Sequence, residues 1–224
     1  MNDQMKIPTM KSSKTPPKYY DHDQEWLIRK NREYPIWGRN ADINYQLALR
    51  HLEPHLGLID DVLDVGCGAG RFGLHLSEAG LNYQGVDAST VAIELGLKHY
   101  PQLKLEVVDA ATPHDQDPIP AKFTLVTSLN ALHCMTTEED RKHFWNFCWQ
   151  HVAAGGFLYL TTMGGPTAPG ARSSGTPRIY QTESALLAEV DGFDGTILWR
   201  QWSPVHQKNP IPNWYVLIQK HSNS

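Results

Sequence analysis

Cysteine is scarce in this chain. The three residues Cys67, Cys134 and Cys148 are odd in number and never fall in C-x-x-C spacing. That excludes a disulfide framework, gives no support for a metal centre, and suits a reducing compartment. Long apolar runs are missing as well: none approaches the ~18 residues that a membrane span needs. The opening stretch MNDQMKIPTMKSSKTPPKYY has no apolar core of the kind a secretory signal carries. A cytoplasmic location without membrane attachment is therefore expected. Basic excess is absent too. The formal net charge is −4, so the sequence carries no electrostatic footprint for nucleic acid. What is present, 41% hydrophobic and 20% charged residues over 224 positions, is enough to bury one real core, and a single folded domain is expected.

Residues 1–18 are poor in apolar side chains and rich in Lys, Ser, Thr and Pro, as in a flexible tail. Residues 19–40 differ: they are aromatic and charged, helical in character before Pro35, and form a separate cap segment. The folded domain then runs from 41 to 224. Tyr45, Leu49, Leu52 and Leu56 recur at helical spacing and predict an amphipathic helix over 41–53. Beyond it, strands and helices alternate. DVLDV (61–65), NYQGV (82–86), LKLEVV (103–108), FTLVTSL (123–129) and FLYLTT (157–162) read as strands. Helices are expected from the glycine-rich turn to Ala79, over 89–100, and over 137–152 with Thr136 and Glu139 as a capping box. Such alternation predicts an α/β fold with a mainly parallel sheet. The ending breaks the rhythm. After a helix near 183–190, GTILWRQW and NWYVLIQK follow with no room for a helix between them, so they should pair as an antiparallel hairpin at the sheet edge.

The most informative stretch is LDVGCGAGRFG, residues 63–73. A strand runs into Gly66, Gly68 and Gly70, and a helix begins immediately after. Glycines there allow a tight turn and close backbone approach to a ligand, and the helix start offers free N–H groups. Gly68, Gly70 and Gly73 also satisfy the dinucleotide pattern G-x-G-x-x-G, so the loop alone admits a nicotinamide cofactor. Three carboxylates accompany it. Asp64 precedes the loop, Asp87 closes the second strand in GVDAS, and Asp109 closes the third in VVDAAT. In an open α/β sheet, ligands bind at the carboxyl ends of the strands, where all of these lie. A carboxylate at Asp87 can accept hydrogen bonds from a ribose diol, and one at Asp109 can meet an adenine amino group.

With these residues in view, the chain resembles the class I S-adenosylmethionine-dependent methyltransferases of small-molecule type over about residues 41–220. LDVGCGAG is similar to that family's first motif, and GVDAS and VVDAAT to its second and third strand ends. The resemblance implies a Rossmann-like three-layer αβα sandwich. Its seven-stranded, mostly parallel sheet would have the order 3-2-1-4-5-7-6 and end in a C-terminal antiparallel hairpin. It implies S-adenosyl-L-methionine as cofactor, held by Asp64, Gly66, Cys67, Gly68, Gly70, Asp87, Ala88, Asp109, Ala110 and Asn130. The segment SLNALH (128–133) would line the methionine moiety. Thr124 departs from the family's usual FDLV at that point.

Methyl transfer is an in-line displacement, so the protein must hold the nucleophile opposite the leaving sulfur and exclude water. His133, just after the fourth strand, is a candidate to deprotonate or orient the acceptor. Tyr20 is the second candidate catalytic residue. It belongs with Tyr19, Trp26, Tyr34 and Trp37 to an aromatic cluster whose faces can attract a sulfonium. Trp37 is expected as an apolar wall of the acceptor site. Residues 141–182 contain no Asp or Glu but include a Gly/Pro/Ser-rich loop with Arg172 and Arg178, which would suit an anionic acceptor. Segments 19–38 and 164–178 are expected to close over the substrate from two sides. The expected partner is a small molecule, with no nucleic acid or membrane, and the protein a monomer or homodimer. Two other readings stay open on the residues: an NAD(P)-dependent oxidoreductase, and an adenosylmethionine-binding protein that does not methylate.

Overall fold

The strand DVLDV alternates the faces on which its side chains are buried: Val62 packs to one side of the sheet, and Leu63 and Val65 to the other. A strand covered on both faces is the mark of a parallel sheet between helical layers. The computed structural model describes residues 22–23, 26–27, 41–165, 170–172, 178–203 and 211–222. The expected tail 1–18 and the candidates Tyr20 and Trp37 lie outside the described residues.

Helix α1 (Ala41–Leu52) and a 3-10 turn (Glu53–Leu58) lead into β1 (Asp61–Val65). There follow α2 (Arg71–Glu78), β2 (Asn82–Asp87), α3 (Thr90–His99), β3 (Lys104–Val107) and β4 (Phe123–Leu129). After a short 3-10 turn (Leu132–Cys134) come α4 (Glu138–His151), β5 (Val152–Met163), β6 (Gly170–Arg172) and β7 (Arg178–Tyr180). The chain ends with α5 (Glu183–Val190), β8 (Gly195–Trp202) and β9 (Asn213–Lys220). The main sheet has seven strands in the order β3-β2-β1-β4-β5-β9-β8. Counting only those strands, this is the expected 3-2-1-4-5-7-6. β1 to β5 run parallel, while β9 slots in antiparallel between β5 and the edge strand β8.

Two apolar layers hold the sheet. On one face α4 and α5 contribute Phe144, Trp145, Phe147, Cys148, Leu186 and Val190 against Leu63, Val126, Leu160 and Trp214. On the other, Ala48 and Leu52 of α1 and Phe72 and Leu76 of α2 cover Val62, Leu125, Tyr159 and Leu217. α3 closes over β3 through Ile93, Leu103 and Leu105. Thr124 fastens the start of β4 to β1: its hydroxyl donates to Asp61 Oδ1 at 2.7 Å and its own N–H donates to the same oxygen at 2.7 Å.

Two expectations need correction. The cap of α4 is Thr137, whose hydroxyl oxygen accepts from Asp140 N–H at 3.0 Å, and not Thr136 paired with Glu139. Thr137 has the extended backbone that a cap requires (φ −110°, ψ 157°), and the helix begins directly after it. The Gly/Pro/Ser-rich loop after β5 also carries structure of its own: β6 and β7 form a two-stranded ribbon, with Arg172 directly opposite Arg178.

Candidate active site

The glycine loop leaves β1 and hooks over the end of β2. Gly66 N–H and Cys67 N–H both donate to Val86 O, at 2.8 and 3.0 Å. That hook requires a left-handed backbone at Gly66 (φ 74°), where a Cβ would also strike the Ala131 methyl at 2.4 Å. Gly68 (φ 57°) comes next, and its N–H donates to Asp87 Oδ2 at 2.8 Å. The other oxygen of Asp87 accepts from Ser89 N–H, also at 2.8 Å. The carboxylate at the end of β2 is thus gripped by the loop on one side and by the start of α3 on the other. Burial raises its proton affinity, against the pull of those two N–H donors. Asp109, one strand further out, is fixed by accepting from Ala111 N–H at 3.0 Å. Ala88 and Ala110 follow the two acids. Ala88 is half-buried and Ala110 is buried.

Asp64 lies beneath the loop. It is 2% exposed, and its carboxylate accepts from Thr127 Oγ1 at 2.8 Å and from the Tyr83 hydroxyl at 3.1 Å. Burial pushes its pKa up to about 6, although both hydrogen bonds oppose the rise. Tyr83 and Thr127 were not legible as site residues; they are known only from the packing of β2 and β4 around β1. Cys67 donates weakly to Gly68 O, and burial beside Asp87 and Asp64 drives its thiol pKa well up. That setting disfavours the thiolate.

At the end of β4, Asn130 stands in the left-handed region (φ 63°), uncommon for a residue other than glycine. Its backbone N–H is tied to Thr161, while its side-chain Oδ1 is buried with no hydrogen-bond partner among the described residues. A buried, orphaned acceptor at the carboxyl edge of the sheet fits a ligand that brings a donor. His133 sits in the following 3-10 turn and is 2% exposed. Its Nδ1 accepts from Met163 N–H at 3.4 Å and lies 3.5 Å from Thr162 Oγ1, so the proton of the neutral ring belongs on Nε2. The turn is held by Arg141, whose Nη1–H donates to Leu132 O at 3.1 Å. That guanidinium is 4% exposed and forms a fork with Glu189 at 2.6 and 2.7 Å. Arg178, on β7, comes within 3.7 Å of Met163 Sδ, beside the same strand end.

The described part of the cap segment reaches the loop. Residues 22–23 and 26–27 are helical. Asp23 Oδ1 accepts from Ser89 Oγ at 2.6 Å and from Val91 N–H at 3.1 Å. The indole of Trp26 lies against Gly68. The aromatic cluster in the sequence pointed to this segment; Asp23 carried no signal of its own. Among the described residues, no three His, Cys, Asp or Glu side chains gather as a metal site would need, and no helix is long and apolar enough to cross a membrane.

A glycine hook on the first strand, acids closing the second and third, and a last strand inserted antiparallel together define a methyltransferase-type Rossmann fold. Comparison agrees. A family described as "Methyltransferase domain" matches residues 63–158. A ubiquinone biosynthesis O-methyltransferase of Azoarcus sp. is 30% identical over 121 residues, a match spanning 52% of this chain and only 50% of that protein. Among solved structures, the 1,6-didemethyltoxoflavin-N1-methyltransferase of Burkholderia thailandensis, with bound 1,6-didemethyltoxoflavin and S-adenosylhomocysteine, superposes with a TM-score of 0.69 at 16% identity. It covers 89% of this chain and 87% of that one. An N-methyltransferase of Bradyrhizobium japonicum, in complex with S-adenosyl-L-homocysteine, gives a TM-score of 0.68 at 13% identity, covering 88% and 97%. At such identities the likeness is one of fold. Residues 63–158 are thus similar to a methyltransferase domain, and the whole described fold is that of S-adenosylmethionine-dependent methyltransferases.

Proposed function

We propose that this protein binds S-adenosyl-L-methionine across the carboxyl ends of β1 to β4 and transfers its methyl group to a small, anionic acceptor. The observation that carries the reading is Asp87: its carboxylate is pinned between Gly68 N–H and Ser89 N–H at the end of β2. Asp87 accepts from the ribose hydroxyls, and Asp109 meets the adenine amino group. Gly66, Cys67, Gly68 and Gly70 present backbone to the ligand, flanked by Ala88 and Ala110. Asn130 Oδ1, orphaned in the structure, accepts from the amino group of the methionine moiety. Asp64 supports the loop from below. When bound, the cofactor supplies a methyl group on a sulfonium, a strong electrophile whose bonding electrons leave with the sulfur.

The protein's contribution is placement and exclusion of water. His133, held through Nδ1, orients the acceptor. Arg178 and Arg172, opposed across the ribbon, favour an acceptor bearing a carboxylate or phosphate. Tyr20 and Trp37 belong to the cap expected over the acceptor. The antiparallel β9 speaks against the dinucleotide oxidoreductase alternative, since that fold calls for no such strand.

Isothermal calorimetry tests the reading. S-adenosylhomocysteine should bind and NAD should give no heat; the reverse result would overturn it. Transfer of labelled methyl to a panel of carboxylate- and phosphate-bearing phenols and amines then separates an enzyme from a binding protein.

A further inference from the structure

We infer that Asp23 and Trp26 form a latch, seated on the glycine loop and the start of α3, that governs how fast the cofactor exchanges. The inference rests on the adenosylmethionine reading above. The two residues are three apart in the chain, and each is helical. Both contacts land on groups that hold Asp87. Ser89 gives its N–H to Asp87 Oδ1, its hydroxyl proton to Asp23, and its hydroxyl lone pair to Ala92 N–H at 3.1 Å. Asp23 also accepts from Val91 N–H, one of the donors at the start of α3 that the helix itself cannot satisfy. A carboxylate at a helix N-terminus is further favoured by the helix dipole. The second contact is on Gly68, whose N–H donates to Asp87 Oδ2. A methyl group built on Gly68 would lie 2.6 Å from Trp26 Cζ2 and 3.0 Å from Cη2, so the indole rests directly on that backbone.

On the side of Gly68 where a Cβ would point, the close approach that glycine permits is made by the protein's own indole, and the rest of the loop's backbone is left to the ligand. A ligand cannot pass over that face of the loop while Trp26 is seated. The seat is locked by Asp23, 66 residues from Ser89 in the chain. α3 keeps its own cap in Ser89, so removing Asp23 unlocks the segment without undoing the helix.

Stopped-flow measurement of S-adenosylhomocysteine dissociation tests the latch, together with hydrogen exchange of the ligand-free protein over residues 22–27. Asp23→Ala and Trp26→Ala should each speed dissociation by about five- to tenfold. Asp23→Ala should also raise exchange in the segment without ligand. Asp23→Asn keeps an acceptor oxygen for Ser89 and Val91 and should stay within about twofold of wild type. If Asp23→Ala changes neither dissociation nor exchange, the latch is refuted. If the wild type fails to bind S-adenosylhomocysteine, the cofactor reading falls, while the exchange data still judge the contact itself.

Discussion

Asp64 shows how much a single buried carboxylate can weigh. Its pKa rises from the usual 3.8 to about 6, because burial outweighs two hydrogen bonds. The folded protein therefore holds this proton more tightly than the unfolded chain does. Between about pH 4 and pH 6 stability falls as pH rises, and above pH 6 the loss is complete. At roughly 1.4 kcal/mol per pH unit the loss is about 2–3 kcal/mol. Chemical denaturation across that range should show a clearly steeper fall in the wild type than in Asp64→Asn, where Asp87 keeps its own raised proton affinity. Asp87 is a different case: both of its oxygens are already engaged by backbone, yet it stands at the ligand edge. Asp87→Ala should weaken S-adenosylhomocysteine binding by about 1–3 kcal/mol, read by calorimetry, with the fold retained.

Elements meet at an ion pair whose arginine is buried and whose glutamate is half-buried. Arg141 of α4 and Glu189 of α5 are joined by two short hydrogen bonds, Trp145 Nε1–H donates to the same glutamate at 2.7 Å, and Arg141 also holds the turn carrying His133. In the sequence Arg141 heads an acid-free stretch and reads as one more positive charge. In the fold its partner comes from beyond that stretch. Arg141→Ala should cost about 3–5 kcal/mol, because it leaves Glu189 without its partner. The double replacement Arg141→Met with Glu189→Leu should restore most of that loss in a urea titration.

For the whole molecule, the sheet's carboxyl edge gathers residues from the cap segment to β7, so a bound ligand links distant parts of one chain. At 100 times its dissociation constant, S-adenosylhomocysteine should add about 2.7 kcal/mol to unfolding stability and raise the melting temperature. NAD at the same concentration should leave the melting curve unmoved.

Strand and helix positions were legible because burial on both faces and the glycine and proline stops are local properties. β1, β4, β8 and β9 lie where the apolar runs place them. The loop and its two outer acids were legible for the same reason, since a motif of a few residues carries its own geometry. The β6–β7 ribbon was not, because its short segments read as a Gly/Pro/Ser-rich loop and only pairing makes them strands. Nor were the partners of Asp64, Arg141 and Asp23, which lie 19 to 68 residues away in the chain. Hydrogen bonds over such separations leave no periodicity in a sequence. They exist only once the sheet has brought β1, β2 and β4 together and set α3 beneath the cap segment. The sequence by itself thus determined the fold class and the loop that a cofactor would touch; tertiary packing decided which groups hold that loop, and what rests upon it.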